Sequence, residues 1–280
     1  MNVVNYVYSQ FKVGGEKSEL SFKYQINDFP LSAYLYRKQK SKKLFVILNG
    51  ALEKKRETSL VYHRYSWHPL FDGDVLYIAD PTLFKYTDLF LAWYMGDKYT
   101  PLYEYLVDFV LSVASNLNIQ RNQIVFYGSS GGGFTAIQLA SHLSHGAVAV
   151  GINPQTNILE YYSARARECF LARCFSASLN DYEALYRNHR FNAIENIKLN
   201  NTKVLLVQNE MDIEHVKHHF EPAIKELGVK NWEKTFAVDS GNTSRVQVLW
   251  YSHESGHGAE QKDSVPEIMK AVDYMINEVK

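Results

Sequence analysis

IVFYGSSGGGFTAIQLA, residues 124–140, reads as a short strand, a tight turn and a helix in immediate succession. The β-branched and aromatic run from Ile124 to Tyr127 suits a buried strand of a parallel sheet. The turn follows as Gly128, Ser129, Ser130, Gly131 and Gly132, after which Phe134, Ile137, Leu139 and Ala140 recur at helical spacing. Framed as Gly-x-Ser-x-Gly, the turn centres on Ser130. A strand-to-helix turn of this kind holds its central serine on strained backbone and lifts the hydroxyl clear at the C-terminal edge of the sheet. Gly128 and Gly132 fall where a Cβ would collide between strand and helix. The backbone N–H of Gly131, at the helix start, would face negative charge developing beside Ser130. Ser129 is the rival centre, but choosing it displaces both glycines from the frame. A dinucleotide-binding turn does not fit, because Gly131, Gly132 and Gly133 are consecutive and the Gly-x-Gly-x-x-Gly offsets fail. A phosphate-cradling P-loop does not fit either, since no Lys followed by Ser or Thr comes after the glycines.

The rest of the chain sets the limits. A length of 280 residues suits one large α/β domain, with a helical insertion at residues 155–200, better than two independent domains. The 46% hydrophobic content, with 20 Tyr and 15 Phe, marks a folded chain rather than a disordered one. Thirty basic residues balance thirty acidic ones, which leaves no electrostatic footprint for nucleic acid or an anionic membrane surface. No window approaches the roughly 20 apolar residues of a spanning helix. The first residues carry no basic leader followed by an unbroken apolar core, so the expectation is a cytoplasmic protein with no transmembrane segment. Cys169 and Cys174, the only cysteines, read as two reduced, partly buried thiols in a helical region rather than as a zinc site or a disulfide framework.

Taken in order, Val3 to Val13, Glu19 to Ile26 and Leu31 to Tyr36 alternate as antiparallel strands at a sheet edge. Leu44 to Leu48 is the first buried strand, and it exits through Asn49, Gly50 and Ala51. Val75 to Ala79 is the second. The aromatic stretch from Thr82 to Thr100, with Phe84, Tyr86, Phe90, Trp93, Tyr94 and Tyr99, has no clear period. It is too long and apolar for a disordered loop, so it is expected either near the mouth of a site or in the core. Pro101 opens a helix with Leu102, Tyr105, Leu106, Phe109, Val110 and Val113 on one face. Ala147 to Ile152, Thr202 to Gln208 and Arg245 to Tyr251 read as further strands, and Val265 to Val279 as a closing amphipathic helix. Between them, Glu214 to Leu227 reads as a helix interrupted near Pro222. Arg165, Arg167, Arg173, Arg187 and Arg190 interleave with tyrosines in the insertion, a pattern that is usually a solvated helix face and less often an anion site.

Strands alternating with helices make a mostly parallel sheet, whose ligand sites gather at the C-terminal strand edge. Three residue types meet there in the chain order Ser, Asp, His. Asp212 follows the strand that ends at Gln208, with Glu210 competing for the same place. His257 lies between Gly256 and Gly258, which let the loop carry it back over Ser130, and His253 is the alternative. His215, His218 and His219 share one helix face at spacings suited to a metal, but no third-ligand carboxylate has a clear position, and a solvated face explains them.

The Gly128 to Gly132 turn, the Asn49-Gly50-Ala51 loop, the late acid and the final histidine together resemble the α/β-hydrolase superfamily over roughly Leu44 to Lys280. The resemblance implies a mostly parallel sheet flanked by helices, with antiparallel N-terminal edge strands and a helical lid. It implies Ser130 as nucleophile, His257 as general base, Asp212 as its orienter, and the N–H groups of Gly131 and Ala51 as oxyanion donors, with no cofactor and no metal. Asn49 departs from the His-Gly pair often found at the oxyanion loop. YGSSGGGFTAIQLA with the following GINPQ is also similar to bacterial capsule-biosynthesis and accessory-secretion proteins that handle acyl groups on carbohydrate. The expected activity is therefore a serine esterase, deacylase or O-acyltransferase acting on a carbohydrate or small acyl ester, with Trp93 and Tyr94 as flat surfaces for a sugar ring. The alternative is a non-catalytic binding or assembly protein of polysaccharide biosynthesis that keeps the turn for packing reasons.

Overall fold

The computed structural model describes residues 19–38, 40–52, 60–143, 146–181, 183, 185, 188–230, 232 and 244–277. The expected strand at Val3 to Val13 lies outside them. Strands β1 (Glu19–Ile26) and β2 (Phe29–Tyr36) form a hairpin, and β2 pairs antiparallel with β4 (Asp74–Ile78). From there every pairing is parallel: β4 with β3 (Leu44–Leu48), β3 with β5 (Ile124–Ser129), then β6 (Val148–Ile152), β7 (Lys203–Asn209) and β8 (Val246–Tyr251). The sheet order is thus β1-β2-β4-β3-β5-β6-β7-β8. This is the mostly parallel sheet with antiparallel N-terminal strands that the sequence pattern leads one to expect.

The central strands are buried on both faces, which is why they read as unbroken apolar runs rather than alternating ones. One face carries Leu44, Val46, Leu48, Ile124 and Phe126. It packs against helices α1 (Leu102–Asn116), α2 (Gly131–Leu143), α3 (Ala193–Asn200) and α4 (Glu221–Leu227). The other face carries Phe45, Ile47, Val125 and Tyr127, and α5 (Val265–Asn277) covers it through Val265, Ile268, Val272 and Met275. Each fully buried aliphatic or Phe side chain in these layers contributes about 1.5–3 kcal/mol of transfer free energy.

The expected break near Pro222 is a widened turn. Ile213–His215 runs into a π-helical turn, Val216–Phe220, before α4 resumes at Glu221. Pro222 has no N–H to continue the regular ladder, and a π turn accommodates that loss without a full break. The residues after β6 carry a short 3-10 turn at Ile158–Glu160, helix Ala164–Phe170 and a π turn at Leu171–Phe175. Helix α3 then returns the chain to β7. Cys169 is exposed and Cys174 buried, both as free thiols. Among the described residues no helix is long and apolar enough to cross a membrane.

Candidate active site

Ser130 sits between β5 and α2 with φ 54°, the left-handed region that a side-chain-bearing residue occupies at a cost of order 1–3 kcal/mol. The glycines around it are required by close approach. A Cβ on Gly128 would meet the Gly132 carbonyl at 2.4 Å, and one on Gly132 would meet Leu48 O at 2.6 Å and Asn49 O at 2.8 Å. The turn is therefore wedged against the end of β3. The segment after β6 grips the same serine from the other side. Ser130 N–H donates to Ile152 O at 2.9 Å, and Gln155 N–H donates to Ser130 O at 3.4 Å. A Cβ on Gly133 or Gly151 would meet Pro154 Cβ at 3.0 Å, so that turn is closely packed as well.

Residues from three strand ends converge on the Ser130 hydroxyl. His257 Nε2 lies 2.9 Å from Ser130 Oγ, and His257 Nδ1 lies 2.6 Å from Asp212 Oδ2. Asp212, rather than Glu210, meets the imidazole. His253 faces its own turn, with Nδ1 2.7 Å from Ser255 Oγ. Asp212 is buried, and its side chain also accepts from His215 N–H at 3.4 Å. Burial raises the pKa of this carboxyl, but its contacts with His215 and His257 outweigh that and hold it well below the usual carboxylate range. An ionised carboxylate on Nδ1 fixes the tautomer that leaves Nε2 free to take a proton.

Two asparagines hold the His257 loop to the sheet. Asn209, the last residue of β7, donates through Nδ2 to His253 O at 2.8 Å and Gly256 O at 2.7 Å, and through Oδ1 it accepts from Met211 N–H and His253 N–H. Asn153, after β6, donates to Tyr251 Oη and Gly258 O and accepts from Asn209 N–H. Below them Glu260 accepts from Arg64 Nε at 2.8 Å, Arg64 Nη2 at 2.5 Å and Tyr127 Oη at 2.5 Å, all buried. Sequence reasoning gave neither Asn153 nor Asn209 a role at the site. The available signal was their position directly after buried strands on the edge that carries Ser130.

The loop after β3 lies over the turn: a Cβ on Gly50 would be 3.0 Å from Ser129 O and 3.6 Å from Ser130 Cβ. Asn49 N–H donates to Tyr94 Oη at 2.7 Å and Gly50 N–H to His63 Nδ1 at 3.3 Å, so Ala51 carries the next N–H along this loop. Gly131 opens α2, whose first N–H groups have no partner within the helix. Asn49 itself braces the loop, donating to Val61 O and accepting from His63 N–H, both at 2.8 Å.

Several side chains lie elsewhere than expected. Trp93 and Tyr94 are fully buried and offer no sugar platform. Tyr94 donates its hydroxyl to Ile78 O, and the Trp93 ring packs against Phe170 at 5.0 Å. An aperiodic aromatic run gives no phase from which to read inside from outside, and here it faces inward. The exposed ring beside the site is Tyr162, edge-on to His257 with centroids 6.5 Å apart. The insertion's arginines divide: Arg165 is exposed and Arg173 more than half exposed, as on a solvated face, whereas Arg167 and Arg190 are turned onto backbone carbonyls. Arg190 donates to Met95 O and Asp97 O, Arg167 to Leu159 O, and Arg173 pairs with Asp88 at 3.0 Å. Arg187 lies outside the described residues.

The three helix histidines also separate. His218 is half-buried and pairs with Glu214 at 3.5 Å, whereas His215 and His219 are buried, so a solvated face accounts for at most one of the three. His215 stacks on His257 with centroids 3.7 Å apart and an interplanar angle of 12°. Its Nδ1 is 3.3 Å from Asp212 Oδ1, yet outside hydrogen-bonding geometry. Asp212, His215 and His257 hold ligand atoms within 4.8 Å of one another, a spacing a metal ion could bridge. Stacked imidazoles, however, send their in-plane lone pairs side by side rather than to one point, and Asp212 already engages His257.

No family model matches the sequence, and no curated protein matches it. Solved structures do resemble it. The capsule O-acetyltransferase of Neisseria meningitidis serogroup A has a TM-score of 0.60 at 15% identity, covering 89% of this chain and 95% of that one. An acetyl xylan esterase from Paenibacillus sp. R4 has a TM-score of 0.59 at 14% identity, covering 96% and 91%. The Pyrococcus horikoshii acylaminoacyl peptidase has a TM-score of 0.60 at 11% identity, covering all of this chain and 45% of that one. These share the α/β-hydrolase fold, and the chain described above has that fold.

Proposed function

We propose that this protein is a serine esterase, deacylase or O-acyltransferase that works through an acyl-enzyme on Ser130. The observation that carries the reading is the continuous run of short contacts from Asp212 through His257 to the Ser130 hydroxyl. His257 Nε2 takes the hydroxyl proton as Oγ bonds to the acyl carbon, and the departing alkoxide receives that proton. An incoming hydroxyl then gives its proton to Nε2 and attacks the acyl carbon, and Oγ leaves, taking the proton back. The N–H groups of Gly131 and Ala51 receive the carbonyl oxygen while it carries charge. This chemistry needs no cofactor or metal.

The acceptor is a carbohydrate hydroxyl in this reading. Support comes from Tyr162, the exposed aromatic ring beside the base, where the attacking hydroxyl must arrive. Support also comes from two structural neighbours whose names join acetyl groups to polysaccharide, the capsule O-acetyltransferase and the acetyl xylan esterase. Residues 155–200 act as the lid of a single domain in this reading, supported by Tyr162 of that stretch lying beside His257. The test is labelling with a fluorophosphonate probe and turnover of a short-chain p-nitrophenyl ester. Wild type is labelled and turns over, and Ser130→Ala does neither while keeping its fold. Full activity in Ser130→Ala would overturn the assignment.

A further inference from the structure

Ser130 Oγ has a second hydrogen-bond partner. Gln155 Nε2 lies 2.9 Å from it, and Gln155 is fully buried. Which end of the amide faces the serine follows from chemistry: Trp93 Nε1–H donates to Gln155 Oε1 at 2.7 Å, and an indole N–H can only donate. The carbonyl must face Trp93, so the amide N–H must face Oγ. A serine hydroxyl has one proton and two acceptor sites. The proton goes to His257, one acceptor site takes the Gln155 N–H, and one lone pair remains to attack a carbonyl.

The indole is aimed at considerable local cost. Trp93 and Tyr94 are consecutive residues at φ 52° and 55°, a conformation rare for bulky side chains. The surroundings over-determine it. Trp93 O accepts from Tyr103 Oη at 2.9 Å and from Thr135 Oγ1 at 3.0 Å, and Tyr94 N–H donates to Asp80 Oδ2 at 2.8 Å. Gln155 is held equally firmly by its backbone bond to Ser130 O and by Pro154 packed against Gly133 and Gly151. Strained backbone that the structure holds this tightly clusters at functional sites.

We infer that Gln155 is a further catalytic residue, held in place by Trp93, whose amide N–H stabilises negative charge on Ser130 Oγ. The inference rests on Ser130 being the nucleophile. When His257 removes the hydroxyl proton, Oγ becomes alkoxide-like, and the neutral hydrogen bond from Gln155 becomes charge-assisted, roughly doubling in strength. The same gain returns in the second step, when the bond from the acyl carbon to Oγ breaks and the electron pair goes to Oγ before His257 returns the proton. Both acyl-enzyme formation and its breakdown are accelerated, each by about tenfold for a gain near the worth of one ordinary hydrogen bond. Trp93 acts through Gln155 and is a positioning residue.

The experiment measures the second-order rate of fluorophosphonate labelling between pH 5.5 and 8.5 for wild type, Ser130→Ala, Gln155→Met and Gln155→Glu, with thermal melts to check folding. Gln155→Met keeps the shape and removes the donor, and labels about tenfold more slowly at every pH. Gln155→Glu keeps an acceptor for Trp93 and has the same size, so the shape of the site is retained, and the thermal melts show whether each variant is folded. Its carboxylate repels charge on Oγ at high pH and donates to Oγ once protonated, so its rate relative to wild type rises as pH falls. A merely structural role would leave that ratio flat. Gln155→Met labelling at the wild-type rate, or a pH-independent ratio for Gln155→Glu, overturns the inference while Ser130→Ala remains unlabelled. A wild type that labels no faster than Ser130→Ala overturns the nucleophile reading and this inference together.

Discussion

Replacing Glu260 by Gln tests how the base loop is held. Glu260 is three residues beyond His257, Tyr127 is three residues before Ser130, and Arg64 adjoins the loop that braces Asn49. One carboxylate therefore joins three segments around the site. The Glu260 side chain is 0% accessible and that of Arg64 4%, and the guanidinium also lies over the rings of Tyr127 at 5.4 Å and Trp67 at 5.6 Å. The amide introduced by Glu260→Gln would retain one acceptor oxygen, but its NH₂ would confront the Arg64 donors and the guanidinium would lose its counter-charge in a dry site. Leaving one member of a buried pair unpaired costs about 3–5 kcal/mol, whereas removing both and filling the volume is close to neutral. Glu260→Gln should therefore lose about 3–5 kcal/mol in urea unfolding at pH 7 followed by tryptophan fluorescence, a large share of a typical stability of about 5–15 kcal/mol. The double variant Arg64→Met/Glu260→Leu should lose less than Glu260→Gln alone. Probe labelling of folded Glu260→Gln should slow, because the loop bearing His257 is released at one end. A loss under about 1 kcal/mol with unchanged labelling, or a double variant as unstable as the sum of its singles, would refute the reasoning.

Asp212→Asn should remain folded with turnover of the p-nitrophenyl ester lowered by about 10³–10⁴, since the amide favours the wrong tautomer of His257; Glu210→Gln should not, and the reverse result would exchange their roles. Burial, reinforced by neighbouring histidines, holds the His219 pKa well below its ordinary value, so His219 is neutral in the folded protein. As pH falls below about 6.5 the unfolded chain binds a proton there that the folded one does not, and stability drops by up to about 1.4 kcal/mol per pH unit. His219→Leu should flatten the decline of the urea midpoint between pH 6.5 and 5, and superimposable pH profiles would count against a neutral buried His219. Tyr162→Ala should reduce acetyl transfer to or from glycans, followed by mass spectrometry with an acetyl donor and a glycan panel, while p-nitrophenyl acetate turnover stays within about threefold; equal losses on both substrates would remove the sugar-platform role.

What the sequence determined by itself was whatever rests on local pattern. Apolar runs at Leu44 to Leu48, Ile124 to Tyr127, Ala147 to Ile152 and Thr202 to Gln208 mark buried parallel strands because a strand covered on both faces has no polar alternation to keep. The spacing of Gly128 and Gly132 around Ser130 was legible for the same reason, since the clash each glycine avoids lies within or beside the turn itself. The tertiary structure decided everything that depends on where a side chain points once a strand has ended. Asp212 lies two positions beyond Glu210 and His257 four beyond His253, and it takes long-range hydrogen bonds, those of Asn153 and Asn209 to the last loop among them, to decide which pair meets. Trp93 and Tyr94 lie in a stretch with no period, so their burial followed from left-handed backbone and contacts far along the chain. Gln155 is 25 residues from Ser130 and 62 from Trp93, and Arg64 is 196 from Glu260. Periodicity reports which face of an element is apolar; it carries no information about polar partners that the fold alone brings together.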